Sequence, residues 1–146
     1  LRLRDPLLSN VPGVAFRGQD GGNYENFYIR PHQSGNPDAN QYTPVFNGVS
    51  GWHIYYGTDY SAPTRYRFNE WMHIRLEVAA DSVRVYIDSD QQTLVIHDLK
   101  RDRRAGFLAL LGSPAGTYFA NFSYAPGEVA DAPPAPVVNT RMGFSG

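Results

Sequence analysis

Seven residues in the first half of the chain carry the groups that recognise a sugar: Arg30, His32, Gln41, Tyr42, Asn47, Trp52 and Tyr56. An aromatic ring meets the apolar face of a pyranose, while planar amide and guanidinium groups bond paired hydroxyls. These residues lie within or beside residues 31–51, a polar stretch that reads as a long loop around a candidate short strand at 42–47. Long loops inside a compact domain are where binding residues concentrate. An ordinary structural reading stands beside this one. Trp52 fits a core position, Tyr24, Tyr42 and Tyr56 fit strands, and Arg30 fits as an ion-pair partner of Glu25 or Asp38. A second chemistry is calcium binding, which needs oxygens from turn carboxylates, amides and carbonyls. Asp20, Asn23 and Asp38 are the candidates, although no dedicated calcium-loop motif contains them.

Other chemistries find no pattern. The four histidines, His32, His53, His73 and His97, show no ligand spacing for a transition metal on a shared element. Ser34 before Gly35 has no nucleophile-elbow context. The glycine-rich run 18–22 lacks the following helix that a phosphate loop requires. There is no cysteine, which removes disulfides, thiolate zinc sites and cysteine nucleophiles together. A formal charge of -1 argues against electrostatic capture of nucleic acid or of an acidic membrane. No apolar run approaches the roughly 18 residues of a membrane-spanning helix, so no membrane insertion is expected.

The elements that must position these groups are strands. In residues 71–78, Met72, Ile74, Leu76 and Val78 share one face while His73, Arg75 and Glu77 share the other. Residues 79–82 turn the chain, and Val83, Val85 and Ile87 then alternate inward, so the two runs predict a hairpin. Further strands are expected at 13–17, ending in the turn 19–22, and at 24–30, 52–56, 94–97, 106–111 and 118–124. Residues 1–4 are a candidate edge strand. No helical period of useful length appears. Strands recurring about every 8–12 residues predict an all-β, antiparallel β-sandwich. With 146 residues and 42% apolar content, the chain is the size of one domain with one core. Residues 1–125 are read as that domain, with 1–10 as an incomplete first strand. Residues 126–146 form a Pro-rich linker and tail joining further domains. A start at Leu1 rather than Met reads as a processed or excised chain.

From Gly13 to Tyr124 the order of features resembles bacterial laminin G-like domains of the concanavalin A-like lectin/glucanase superfamily. The residues that carry this are Gly13-Val14-Ala15-Phe16-Arg17, the run from Asn23 to His32, and the run from Gln41 to Gly48 with Trp52. Trp71, Val85-Tyr86-Ile87-Asp88 and Tyr118-Phe119-Ala120-Asn121-Phe122 complete it. The resemblance implies a concanavalin A-like jelly roll and calcium held between loops. Such domains usually have more sheet before the first of these strands than residues 1–10 can supply. Some enzymes of the superfamily carry Glu-x-Asp-x-x-Glu along one strand, and that motif is absent here. Glu25, Glu70, Glu77 and Glu128 stand isolated, and Asp88 with Asp90 reads as turn chemistry.

The expected function is therefore a non-catalytic carbohydrate-binding module taking an oligosaccharide or polysaccharide. A secreted, periplasmic or cell-surface setting is expected. The alternatives are a protein-interaction or structural sandwich, and a glycoside hydrolase-like enzyme using His32, Glu25, Asp38 or Glu77.

Overall fold

A computed structural model of the chain describes residues 1–4, 11–112 and 116–134. Eleven strands run β1 (Arg2–Leu3), β2 (Gly13–Asp20), β3 (Asn23–Ile29), β4 (Asn40–Phe46), β5 (Val49–Ser50), β6 (Ser61–Ala62), β7 (Ile74–Val78), β8 (Val83–Ile87), β9 (Leu94–Ile96), β10 (Phe107–Leu111) and β11 (Thr117–Tyr118). One 3-10 turn, Pro31–Gln33, is the only helical element among the described residues. The chain is thus all-β and antiparallel, as the alternating pattern predicts.

The larger sheet has the order β10-β2-β3-β4-β5, with β6 also on β4. A second sheet, β7-β8-β9, packs over it, and β1 pairs with β11. Phe16, Phe27, Ile29 and Tyr42 from the larger sheet meet Val83, Val85, Leu94 and Ile96 from the second. Met72 is buried with them, and Ile74, Leu76 and Val78 pack at the margin of this core. The β7–β8 hairpin has the expected register, with Ile74 opposite Ile87 and Val78 opposite Val83.

Several expectations from the sequence are corrected. Residues 40–46, within the expected loop 31–51, carry the short strand expected at 42–47, which begins two residues earlier. They form β4, flanked by β3 on one side and by β5 and β6 on the other, and buried from Asn40 to Val45. Asn40, Gln41 and Thr43 are buried, and each makes a hydrogen bond that offsets part of the cost of desolvating it, although Asn40 Oδ1 has no partner among the described residues. Residues 52–56 are not a strand but a series of turns. Strand pairing near the end of the sandwich stops at Tyr118, short of residues 119–124. Within the expected linker, residues 131–132 bond to the β7–β8 turn and Ala130 bonds to Arg84 of β8. Residues 5–10, within the expected incomplete first strand, and 135–146 of the tail lie outside the described residues.

The β4 edge explains where the chain departs from the sheet. The Tyr42 amide donates to the Tyr60 carbonyl at 2.8 Å, next to the β4–β6 pairs at Asn40 and Gln41. Two residues on, Pro44 sits on the same strand edge and has no N–H to offer. Pairing resumes only at Val45 and Phe46 with β5. Residues 51–60 leave the sheet between these two points of contact. The β4–β5 connection is Asn47-Gly48, with φ of 50° and 78°. Positive φ at both central residues is the geometry of a type I′ hairpin turn.

Candidate functional site

Loop 51–60 is held from beneath by Gln41, which is only 1% exposed. Its side-chain N–H2 donates to the carbonyls of Trp52, at 2.8 Å, and Tyr55. Tyr42 is fully buried and supports the same loop through its ring. It stacks on Tyr60 at 6.4 Å between centroids and meets Tyr55 edge-on at 6.5 Å. Tyr55 and Tyr60 meet edge-on at 5.3 Å. The loop is therefore fixed by amide and aromatic contacts along its inner side. Its outer side presents Trp52, 55% exposed, Ile54 and Tyr56, 71% exposed. The Arg30 guanidinium lies 5.9 Å from the centre of the Trp52 ring, and His53 meets that ring edge-on.

This arrangement sorts the seven sugar-site candidates. Arg30, Trp52 and Tyr56 occupy or border the exposed aromatic surface, and Trp52 is not a core residue. Gln41 and Tyr42 are corrected from ligand groups to positioning groups, since burial removes both side chains from a ligand. Asn47 is exposed and lies away from that surface. It is a turn residue at the other end of β4, and its amide donates to Asn23 Oδ1 at 3.1 Å. His32 is exposed on the 3-10 turn. Arg30 does pair with Asp38, one of the two ion-pair partners its sequence context suggests.

The three calcium candidates do not converge. The Asp20 carboxylate already accepts from the Asn23 amide at 2.9 Å and from the Gly22 N–H at 2.8 Å. The Asn23 hydrogen bond, and then the Gly22 amide, holds the Asp20 carboxyl below its ordinary pKa. Asp38 lies at the opposite end of the β3–β4 pair, a strand length of roughly 20 Å away by the rise per residue. No cluster of three or more metal-ligating His, Asp or Glu side chains occurs among the described residues. The carboxylates considered for hydrolysis are equally dispersed. Glu25 is sealed in the core, where its carboxylate accepts from the Tyr42 hydroxyl and the Arg101 amide. Burial raises its pKa, with those two hydrogen bonds opposing the shift. Glu77 instead accepts from the Tyr86 hydroxyl on the second sheet.

The same loop also walls a cavity of about 540 Å³, within the range of small-ligand sites. Asp59 and Tyr60 come from the loop, His97 and Asp98 follow β9, and Asp81 lies in the β7–β8 turn. Asp131, Ala132 and Pro134 of the tail complete the lining. Lys100 bonds Asp98 at 2.5 Å and Arg103 pairs with Asp81, so two carboxylates are matched by cations. Asp131 is held below its ordinary pKa, chiefly by the Asp81 N–H and then by the Ser82 hydroxyl. His97 Nδ1 is buried with no hydrogen-bond partner among the described residues.

An ionised carboxylate only accepts hydrogen bonds. A cavity walled by four aspartates and an aromatic ring is suited to a ligand rich in hydroxyl donors. Sequence reasoning missed this group because its members lie in four separate segments far apart in the chain. The one available signal was Asp59-Tyr60, a carboxylate beside an aromatic residue within the loop already singled out. No protein-family model matches the chain, and no solved structure matches it.

Proposed function

We propose that the chain is a non-catalytic carbohydrate-binding module, a laminin G-like domain with the concanavalin A-like jelly roll that its sequence resembles. One observation carries this reading. A single ten-residue loop, 51–60, exposes Trp52 and Tyr56 on its outer side and contributes Asp59 and Tyr60 to an acceptor-lined cavity. A neutral oligosaccharide meets both requirements, with apolar ring faces for the aromatics and hydroxyl donors for the carboxylates. A secreted, periplasmic or cell-surface setting, beside further domains, accords with such a role.

A glycan array probed with the purified chain, with calcium and again with chelator, tests the proposal. Selective binding that is lost in Trp52→Ala and reduced in Asp59→Asn supports it. Silence under both conditions counts against it.

The second reading is a protein-interaction domain, favoured by β10. Phe107, Leu108 and Leu110 on that strand are each about two-fifths exposed, an unusual apolar content for a solvated strand. Concentration-dependent association in size-exclusion chromatography, with no glycan bound, would favour it.

A further inference from the structure

The segment after Tyr124 has the composition of a linker, yet four hydrogen bonds fasten part of it to the sandwich. The Asp81 N–H and the Ser82 hydroxyl donate to Asp131 Oδ1 at 2.7 and 3.0 Å. The Ala132 N–H donates to Ser82 Oγ at 2.8 Å, and Arg84 Nη1 donates to the Ala130 carbonyl at 2.7 Å. Ser82 is completely buried and Ala132 is 8% exposed, so this attachment is a seated contact rather than a surface graze. Beyond the attachment, Asp131, Ala132 and Pro134 line the cavity.

From this placement we infer that residues 130–134 are a strap that completes the ligand cavity, and that filling the cavity and docking the strap are coupled. The inference rests on the reading of the cavity as a glycan site. Its physical basis is linkage. A sugar touching Asp131 or Pro134 makes those contacts only when the strap is docked, so it binds that state more tightly and shifts the population toward it. The converse also holds: loosening the strap lowers sugar affinity even when no cavity-lining residue changes. Ser82 is the hinge of this argument. Its one hydroxyl donates to Asp131 and accepts from Ala132, yet Ser82 itself does not line the cavity. Arg84 is a second tie outside the lining.

The test uses the full chain and four probes, the β-1,4-linked tetrasaccharides of glucose, mannose, xylose and galactose. Affinities are measured by calorimetry for the parent, Ser82→Ala and Arg84→Met. Amide hydrogen exchange at Ala132 and Asp81 is followed with and without sugar. The expected result is that one tetrasaccharide binds the parent and slows exchange at Ala132. Affinity then falls at least tenfold in Ser82→Ala and severalfold in Arg84→Met. Arg84 is partly exposed, so its variant keeps the test valid where loss of the buried Ser82 hydroxyl costs stability. Equal affinity in the parent and both variants, with Ala132 exchange indifferent to sugar, overturns the coupling and leaves the glycan reading intact. If none of the four binds the parent, both fall together. Protection of Ala132 in the free chain would then still report a docked strap with a purely structural role.

Discussion

Replacing Gln41 tests whether the aromatic surface is held from below. Gln41→Met preserves length and approximate volume but removes both donors to the Trp52 and Tyr55 carbonyls. Each neutral hydrogen bond contributes about 0.5–1.5 kcal/mol net, so the substitution costs about 1–3 kcal/mol. For a chain of this length that corresponds to a fall in melting temperature of about 3–9 °C. Gln41→Glu is the sharper probe. A buried carboxylate accepts only, and it would face two carbonyl oxygens. At neutral pH the expected order of stability is Gln, then Met, then Glu. The introduced carboxyl would favour its protonated form, which restores one donor. Its folded pKa would therefore lie above the unfolded value, and the Glu variant should regain stability as pH falls. Thermal unfolding by circular dichroism measures the stabilities. Trp52 anisotropy, read in a Trp71→Phe background, measures loop order. A Met variant melting within about 1 °C of the parent with unchanged anisotropy would refute the reasoning. So would a Glu variant as stable as Met at pH 7.

Other outcomes follow from the same structure. Trp52→Ala and Tyr56→Ala should abolish or strongly reduce glycan binding while changing stability by no more than about 0.5 kcal/mol, because both side chains are mostly exposed; parallel calorimetry and melting curves check both halves. Burial raises the Glu25 carboxyl above its ordinary value of 4.5, so the folded chain holds that proton more tightly than the unfolded chain. The resulting stability is fully present below pH 4.5 and is lost as pH rises through the folded value. Urea unfolding should therefore show the parent losing stability relative to Glu25→Gln as pH rises, and a difference independent of pH would contradict it. Gly48→Ala at φ 78° should cost about 1 kcal/mol or more, read as a lower urea midpoint with unchanged slope.

How much was legible depends on which force set each element. The β7–β8 hairpin could be read directly, because Val83, Val85 and Ile87 alternate with Arg84 and Tyr86 and side-chain period alone defines that pattern. β4 was legible only in part. Asn40, Gln41 and Thr43 look solvated in sequence, and Pro44 argues against a strand with neighbours on both sides. Their partners, Thr64 for Asn40, the loop carbonyls for Gln41 and Tyr28 for Thr43, are supplied by distant segments. The missing donor of Pro44 is tolerated because it falls where neither β5 nor β6 pairs with β4. The hairpin after β4 was legible in principle, since Asn47-Gly48 between apolar residues is a strong turn signal.

By itself the sequence determined the all-β class, the antiparallel hairpins, the apolar faces and the region, residues 30–56, in which an aromatic surface would arise. Those properties follow from local period and turn chemistry, which neighbouring residues settle among themselves. Tertiary structure alone decided that Gln41 and Tyr42 support the loop while Trp52 and Tyr56 face solvent. It alone assembled Asp59, Asp81, Asp98 and Asp131 around one cavity and seated the tail beside it. The physical reason is that burial and convergence depend on which sheets pack together. That is fixed by contacts between residues far apart in the chain, such as Ser82 with Asp131, and no local pattern encodes them.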